Sequence, residues 1–348
     1  MRDILLWLLV LFCFSFFIFP YHLGDEIFFS IEAKTDVTDT NHSKDNAYYA
    51  DSWSYMYSGV AGVVDWNLKS WIEKKIDNGA ASSHFYIIED NGQWIIKDWE
   101  DRKVGSFLKQ GRPFFYDSSS PYVFFIDDSG KFIKRLNLDN WIINSYVYPG
   151  VVTAFTAPSD NVVSAVVGGD VYWDTPSNSY KITVSNTGES IVYGLALSDD
   201  YKYLALVEGF KKQYVRVYSI TEGKPKEIWN TVLSGVLKRP VYITVSNGRV
   251  VVEEKNGMLI KNINTNEEIR FDIKSLLRFY NVESLKLDFV VSQENNSMVL
   301  SAIKNNKVLF SSVLSDLRVI PGYKENKFMF FSKKGFFLIA IKKTGDRI

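Results

Sequence analysis

The chain has 348 residues, 46% of them hydrophobic and 16% aromatic, and its 40 basic and 40 acidic side chains give a formal net charge of zero. This balance argues against nucleic acid as a partner, because binding to phosphates needs a basic surface. The single cysteine, Cys13, excludes an internal disulfide, so a hydrophobic core must stabilise the folded part.

An uncharged, apolar segment from Ile4 to Leu23 begins the chain. About 20 such residues in a helix span a ~30 Å hydrocarbon core, so residues 1–23 are predicted to form one transmembrane helix in a lipid bilayer. A cleaved signal peptide is the alternative, although the residues after Phe19 are bulky where a cleavage site needs small ones. Arg2 before the segment, and acidic residues after it, predict a single-pass protein with a cytoplasmic amino terminus and a periplasmic or extracellular body.

Residues 24–50 are predicted to be a polar tether between the membrane and the folded body. Between Asp36 and Asp51 the chain contains almost nothing to bury, which is typical of a linker. The stretch from Glu26 to Ala33 alternates like a strand and could instead join the sheets of the body. The sequence leaves both possibilities open.

From residue 51 to residue 348, short aromatic and β-branched runs alternate with turn residues. The runs Phe85 to Ile88 and Trp94 to Ile96 flank Asn91-Gly92, and this pattern predicts a tight β-hairpin. Further hairpins are predicted around four other turns: Asp128 to Gly130, Gly168-Gly169, Asn247-Gly248 and Lys334-Gly335.

The turns recur at regular spacing, which predicts the fold. Gly92, Gly130 and Gly168 are 38 residues apart, and turn sites near Asp200, Gly248, Asn296 and Gly335 continue the series at about 40 residues each. Repeats of this length made of strands indicate an all-β fold, a β-propeller with one four-stranded blade per repeat. We predict seven blades, with six or eight as alternatives.

Two other architectures fit parts of the pattern. One is a pair of β-sandwiches, and the other is a β-rich domain with a helical insert at Asn67 to Ile76. Asn67 could cap such a helix, and Lys74 and Lys75 suit its carboxyl end. A second candidate helix covers Ile273 to Tyr280, and short helices between blades would be compatible with a propeller.

One repeat resembles a known superfamily. The stretch from Tyr193 to Leu206, with Ser198-Asp199-Asp200 at its turn, is followed by Tyr214 to Tyr218. This strand, Ser-x-Asp turn, strand order is similar to that of WD40-like and related bacterial β-propeller repeats. No Gly-His pair and no closing Trp-Asp pair accompany it, so the resemblance implies a fold and no particular subfamily.

No motif in the sequence indicates catalysis, a cofactor or a metal. Of three histidines only His84 falls in the folded body, and no Gly-x-Ser-x-Gly elbow supplies a nucleophile. Acidic pairs could form an acid and base dyad, although each falls at a turn or strand end. These pairs are Asp127-Asp128, Asp199-Asp200, Glu253-Glu254 and Glu267-Glu268. We therefore expect no enzymatic activity, no cofactor and no metal site.

Aromatic side chains are concentrated near the start of the body. Tyr and Trp dominate binding hot spots, so these residues are a candidate partner surface, while packing between blades is the structural alternative. They are Trp53, Tyr55, Tyr57, Trp66 and Trp71. Together the patterns predict a membrane-anchored, extracytoplasmic propeller that acts as a non-catalytic protein-interaction scaffold for envelope proteins. The alternative function is an exported glycan-binding or hydrolytic propeller using carboxylates near the central channel.

Overall fold

A computed structural model describes residues 27–36, 52–76, 78–117, 119–184, 190–221, 224–333 and 335–343. Within these residues the chain forms 31 β-strands and one short 3₁₀ turn, Glu283–Leu285, and contains no α-helix. The strands form eight antiparallel sheets, and within each sheet strands adjacent in sequence are hydrogen-bonded neighbours. Each sheet is one blade of a β-propeller.

The first four blades follow one another along the chain, each running from an inner to an outer strand. Blade 1 consists of β2 (Ser52–Tyr57), β3 (Val60–Asp65) and β4 (Trp71–Lys75); blade 2 of β5 (Gly79–Ala81), β6 (Phe85–Asp90), β7 (Gln93–Asp98) and β8 (Lys103–Leu108); blade 3 of β9 (Arg112–Phe114), β10 (Tyr122–Ile126), β11 (Phe132–Asn137) and β12 (Ile143–Val147); blade 4 of β13 (Val152–Thr156), β14 (Val162–Val166), β15 (Asp170–Asp174) and β16 (Ser179–Thr183).

The last four blades continue this order, and the final one includes the first strand of the described residues. Blade 5 consists of β17 (Val192–Leu197), β18 (Tyr203–Glu208), β19 (Tyr214–Thr221) and β20 (Lys224–Val232); blade 6 of β21 (Ile243–Ser246), β22 (Arg249–Glu254), β23 (Gly257–Asn262) and β24 (Glu268–Phe271); blade 7 of β25 (Leu276–Val282), β26 (Leu287–Glu294), β27 (Ser297–Lys304) and β28 (Lys307–Leu314); blade 8 of β29 (Gly322–Lys324), β30 (Lys327–Ser332), β31 (Gly335–Lys343) and β1 (Ile27–Asp36).

The prediction of a propeller is confirmed, but the prediction of seven blades is wrong: there are eight. The series of turns identified in the sequence falls in blades 2 to 8 and misses blade 1. There the Asp65 carboxylate accepts hydrogen bonds from the backbone N–H groups of Asn67 and Ser70, both at 2.6 Å, and so organises the turn between β3 and β4. The predicted helix at Asn67 to Ile76 is therefore a turn and a strand.

The second predicted helix is also replaced by a strand, since most of Ile273 to Tyr280 lies in the loop before β25 and in β25 itself. The burial of side chains along a blade explains why strands form here instead of helices. A second strand such as β14 has neighbours on both faces and is buried along its whole length, whereas the outer strand β12 is largely exposed. Buried strands of this kind favour continuous β-branched runs over a helical period.

The ring closes by pairing the two ends of the described chain. Strand β1 runs antiparallel to β31, with Phe29 opposite Ile341 and Lys34 opposite Phe337. The segment that the sequence left open between tether and sheet therefore belongs to the sheet. Pairing with β1 covers the edge of β31, and β1 becomes the outer strand of blade 8.

The expectation of a single-pass membrane protein is not upheld. Over the described ranges, no helix is long and apolar enough to cross a membrane. Residues 4–23, on which the predicted transmembrane helix and its lipid contact rested, lie outside the described residues, as do residues 37–50 of the predicted tether.

The hydrophobic core is divided among the junctions between blades. Eight clusters of buried side chains occur in the described residues, one between each pair of neighbouring blades. The cluster between blades 8 and 1 joins Phe331 and Phe336 to Tyr55 and Trp71. Eight junctions for eight blades mean that the ring is closed and that its inner strands surround a central space.

Candidate functional site

A cavity of about 1730 Å³ occupies the centre of the ring. All eight inner strands contribute to its wall, from β2 in blade 1 to β29 in blade 8. The wall combines aromatic rings with hydroxyl groups and a few charges. It is the only place in the described molecule to which every blade contributes side chains.

Aromatic rings from blades 3 and 4 form one side of the cavity. Phe114 and Phe155 pack edge to face with ring centroids 5.5 Å apart, and Tyr116 lies 6.1 Å from Phe155. The Tyr116 hydroxyl is 2.6 Å from that of Thr156. Because protein surrounds the cavity, desolvation raises the pKa of Tyr116 even though 44% of the residue is exposed to the cavity space.

Arg278 of blade 7 faces the same space. Strand β25 contains a β-bulge between Leu276 and Arg278, and such irregularities redirect side chains. The positive charge of Arg278 acts on the hydroxyl of Tyr242, which accepts a hydrogen bond from the backbone N–H of Phe279 at 3.1 Å. Burial raises the pKa of Tyr242, and the charge of Arg278 opposes that rise.

Arg278 and Tyr116 come from opposite sides of the ring, yet they are close enough to interact. In a ring of eight blades, blades 3 and 7 lie opposite each other. Burial raises the pKa of Tyr116, and the positive charge of Arg278 partly opposes that rise. Asp199 of blade 5 acts on the same hydroxyl with the opposite sign. All three residues line the central cavity.

A second arginine, Arg318, lines the cavity between blades 8 and 1. Its Nη1 donates a hydrogen bond of 2.5 Å to the Tyr57 hydroxyl. The guanidinium lies 5.0 Å from the centre of the Tyr57 ring and 5.1 Å from that of Phe331. Aromatic faces thus stabilise this cation by cation–π contacts.

The five aromatic residues predicted as a partner surface lie in or beside the packing between blades 8 and 1. Tyr55 and Trp71 are buried, and Tyr57 is half-buried against Phe331 at 5.2 Å. Trp53 and Trp66, both half-buried, also line the cavity. The structure thus brings all five together, and their role in binding a partner stays a prediction.

The acidic pairs do not converge on one site. Of those eight carboxylates only that of Asp199 lines the cavity, where it is joined by Asp117. Glu253 is buried and hydrogen-bonded to Arg239 at 2.6 and 3.0 Å. Four of the other six form turns or ion pairs away from the channel: Asp127, Asp200, Glu254 and Glu268.

Sequence reasoning missed Tyr116, Arg278 and Arg318, because no motif surrounds them. Alignment of the inner strands offers one signal. The bulges in β13, β17 and β25 place Ala154, Gly194 and Arg278 at matching positions. Blades 4 and 5 thus have a small residue where blade 7 has an arginine. That comparison requires blade boundaries that the turn series alone did not supply.

Comparisons with known proteins agree with the architecture. The search of curated proteins finds no match. Among solved structures, BamB from Moraxella catarrhalis is 13% identical with a TM-score of 0.61, covering 92% of this chain and 99% of that one. The computationally designed Ika8 protein is 13% identical with a TM-score of 0.58, covering 84% and 93%.

A chain in the crystal structure of the Mitotic Checkpoint Complex is 8% identical with a TM-score of 0.52, covering 77% of this chain and 90% of that one. At these identities the likeness concerns the fold alone. A family model described as "beta-propeller protein" matches residues 4–320, which is most of the chain. The chain therefore belongs to this β-propeller protein family, in agreement with the resemblance carried by residues 193–218.

Proposed function

We propose that this propeller is a non-catalytic protein-interaction scaffold that holds a segment of a partner protein in its central cavity. The main observation that supports this proposal is the size and lining of that cavity. At about 1730 Å³ it exceeds the roughly 300–1,000 Å³ typical of small-molecule pockets. Its wall contains tyrosine, tryptophan and arginine, the residue types that contribute most to binding between proteins.

The fold comparison supports the same proposal. One chain of similar fold belongs to a structure titled as a complex, the Mitotic Checkpoint Complex. A ring of blades suits this role because its inner strands are rigid while its connecting loops can differ. Fold alone does not fix function, so the proposal depends on the cavity.

Site-specific crosslinking in intact cells tests the proposal. A photoreactive amino acid replaces Met56, which lines the cavity and is 47% exposed, or Val313, which is 64% exposed on the outer strand β28. We expect a discrete crosslinked protein from position 56 and not from position 313. The same protein should be recovered with the purified scaffold. No discrete product at position 56, or equal products at both positions, would contradict binding in the cavity.

A glycan-binding or hydrolytic propeller is the second candidate. Asp117 and Asp199 line the cavity together with aromatic rings, and carboxylates beside stacked rings are suited to sugars. This candidate predicts that a panel of oligosaccharides includes one that binds or is cleaved, and that Asp199→Asn weakens the effect at least tenfold. An unchanged response of Asp199→Asn would count against it.

A further inference from the structure

Arg278 differs from the arginines of the neighbouring blades in its partners. Arg216, Arg239 and Arg270 each form an ion pair with a glutamate that is almost fully buried. Arg278 forms no ion pair with a carboxylate among the described residues, and it is exposed to the cavity. Its charge is therefore available to a ligand.

The position of Arg278 is not required by the fold. The matching bulged strands of blades 4 and 5 carry Ala154 and Gly194 at the same place, and both blades form complete sheets. Ala154 packs against the core between blades 4 and 5, and a side chain at Gly194 would meet the backbone of Val241, whereas Arg278 lines the cavity. The fold therefore accepts small residues at this position, and packing of the blade does not explain the arginine.

The other charged and titratable groups around the channel do not neutralise Arg278 by direct contact. Tyr116, Tyr242 and Tyr280 surround it, and burial raises the pKa of each hydroxyl, so all three remain neutral hydrogen-bonding groups at physiological pH. The Asp117 carboxylate accepts hydrogen bonds from the Ser119 backbone N–H and hydroxyl at 3.0 Å within its own turn.

The remaining two charges of the wall restrict the ligand further. Arg318 adds a second positive charge, although aromatic rings cover part of its guanidinium. Asp117 and Asp199 balance the two arginines, so the wall as a whole carries no net charge and its attraction for an anion is local to Arg278. A ligand with one carboxylate at Arg278 and uncharged groups elsewhere therefore fits the wall better than a multiply charged phosphate.

We propose that Arg278 binds a carboxylate of an acidic peptide segment inserted in the channel, while the surrounding rings pack on the segment's apolar side chains. This inference rests on the proposed function as a scaffold. Arginine presents two parallel N–H donors that match a carboxylate, and a site enclosed by protein strengthens such a contact. The group that Arg278 binds is a carboxylate, which an Asp or Glu side chain or the carboxyl terminus of the segment can supply.

Fluorescence anisotropy with three labelled dodecapeptides tests the inference. The first alternates Phe and Glu with an amidated carboxyl end, the second has Gln for every Glu, and the third is the Gln peptide with a free carboxyl end. Each is titrated with the full-length protein and with Arg278→Gln and Arg278→Lys. Arg102→Gln is the matched control, because Arg102 is exposed and lies on the outer side of blade 2, paired with Asp98.

We expect the wild-type protein to bind the Glu peptide, or the peptide with the free terminus, at least tenfold more tightly than the amidated Gln peptide. Arg278→Gln should abolish that preference, Arg278→Lys should reduce it, and Arg102→Gln should keep it. Which acidic peptide shows the preference identifies the source of the carboxylate. Raising the salt concentration should weaken it through screening.

Three outcomes would overturn the inference: no binding of any peptide, equal binding of all three, or a preference that survives Arg278→Gln. Tighter binding of an oligogalacturonide than of every peptide would overturn it as well and favour the sugar candidate. The peptide preference of the wild-type protein is informative even if a variant fails to fold. Crosslinking at Met56 tests the scaffold function separately, so a failed inference and a failed function are distinguishable.

Discussion

The junction where the ring closes and a junction in the middle of the chain are built from different side chains. Between blades 8 and 1, rings dominate the core: Phe331 and Phe336 stack at 4.5 Å, and Tyr55 lies 4.8 Å from Phe331. Between blades 5 and 6 the buried core is entirely aliphatic, with residues such as Val217 and Val250. The same blade architecture therefore tolerates two kinds of packing.

The two junctions also differ in how they form. Blades 5 and 6 are joined by the short connection between β20 and β21, whereas closure brings together Tyr57 and Arg318, which are 261 residues apart. Closing a longer loop costs more conformational entropy, although the cost rises only logarithmically. Each aromatic ring buries about 150–250 Å², so a few rings offset this cost. Large rings also fill the junctions between blades 7 and 8 and between blades 3 and 4, and at the closing junction their buried area helps to hold the ring shut.

The largest expected effect is the loss of a ring at the closing junction. Phe331→Ala should lower the free energy of unfolding by about 4 kcal/mol, because the fully buried ring leaves a cavity between blades 8 and 1. Val250→Ala at the middle junction removes two carbons and should cost about 2 kcal/mol. Urea unfolding measures both, and Phe210→Ala, at a residue 52% exposed, is the control for removing a ring. A loss at Phe331 no greater than that at Val250 would contradict the proposed role of the rings.

The next effect concerns charge. The middle blades contain buried carboxylates paired with arginine, whereas Arg318 at the closing junction forms no ion pair with a carboxylate among the described residues. In blade 5 the Glu208 carboxylate accepts hydrogen bonds from Arg216 Nε at 2.5 Å and from the Ser190 hydroxyl at 2.7 Å. Arg216→Leu leaves the Glu208 carboxylate, whose side chain is 5% exposed, without its cation. The free energy of unfolding should fall by about 3 kcal/mol.

The double variant Arg216→Leu/Glu208→Leu checks that the cause is the unpaired carboxylate. Replacing both partners by apolar groups should recover most of the loss, since no buried charge remains. Lys202→Ala, which removes the exposed partner of Asp200 in the same blade, should leave the urea midpoint unchanged. If the double variant is as unstable as Arg216→Leu, the loss comes from packing instead of charge.

Local patterns predicted the strands well, while the number of blades and the cavity depended on long-range geometry. The Asn91-Gly92 turn has positive φ at both residues, 48° and 73°, and joins β6 to β7 as predicted. Blade 1 was missed because the turn series included neither its Ser58-Gly59 hairpin, which has positive φ at both residues, nor the turn that the Asp65 carboxylate organises. Arg278 could not be placed in the channel from its neighbours in sequence, because ring closure decides which face of β25 points inward.

The smallest expected effect lies at the strand that closes the ring, and it depends on pH. Hydrogen bonds from Lys327 and Lys342 of blade 8, at 2.9 and 3.4 Å, hold the pKa of the Glu32 carboxyl in β1 below its usual value of 4.5. The pKa of Glu32 is thus lower in the folded protein than in the unfolded protein. The ion pairs therefore stabilise the fold fully above the unfolded pKa, and this stabilisation is lost as the pH falls through the folded pKa.

Glu32→Gln should therefore be less stable than the wild type by about 0.5 kcal/mol at pH 6, the size expected of a surface ion pair, and equally stable once the pH falls below the folded pKa. Urea unfolding of both proteins between pH 6 and pH 2.5 measures the difference, with Glu325→Gln, an exposed carboxylate between β29 and β30, as the control for losing a charge. A difference that stays constant over this range would mean that Glu32 contributes by packing and that the rings alone hold β1 and blade 1 to blade 8. A difference that disappears on acidification would mean that the closing strand adds a charge contact to a junction held mainly by aromatic packing.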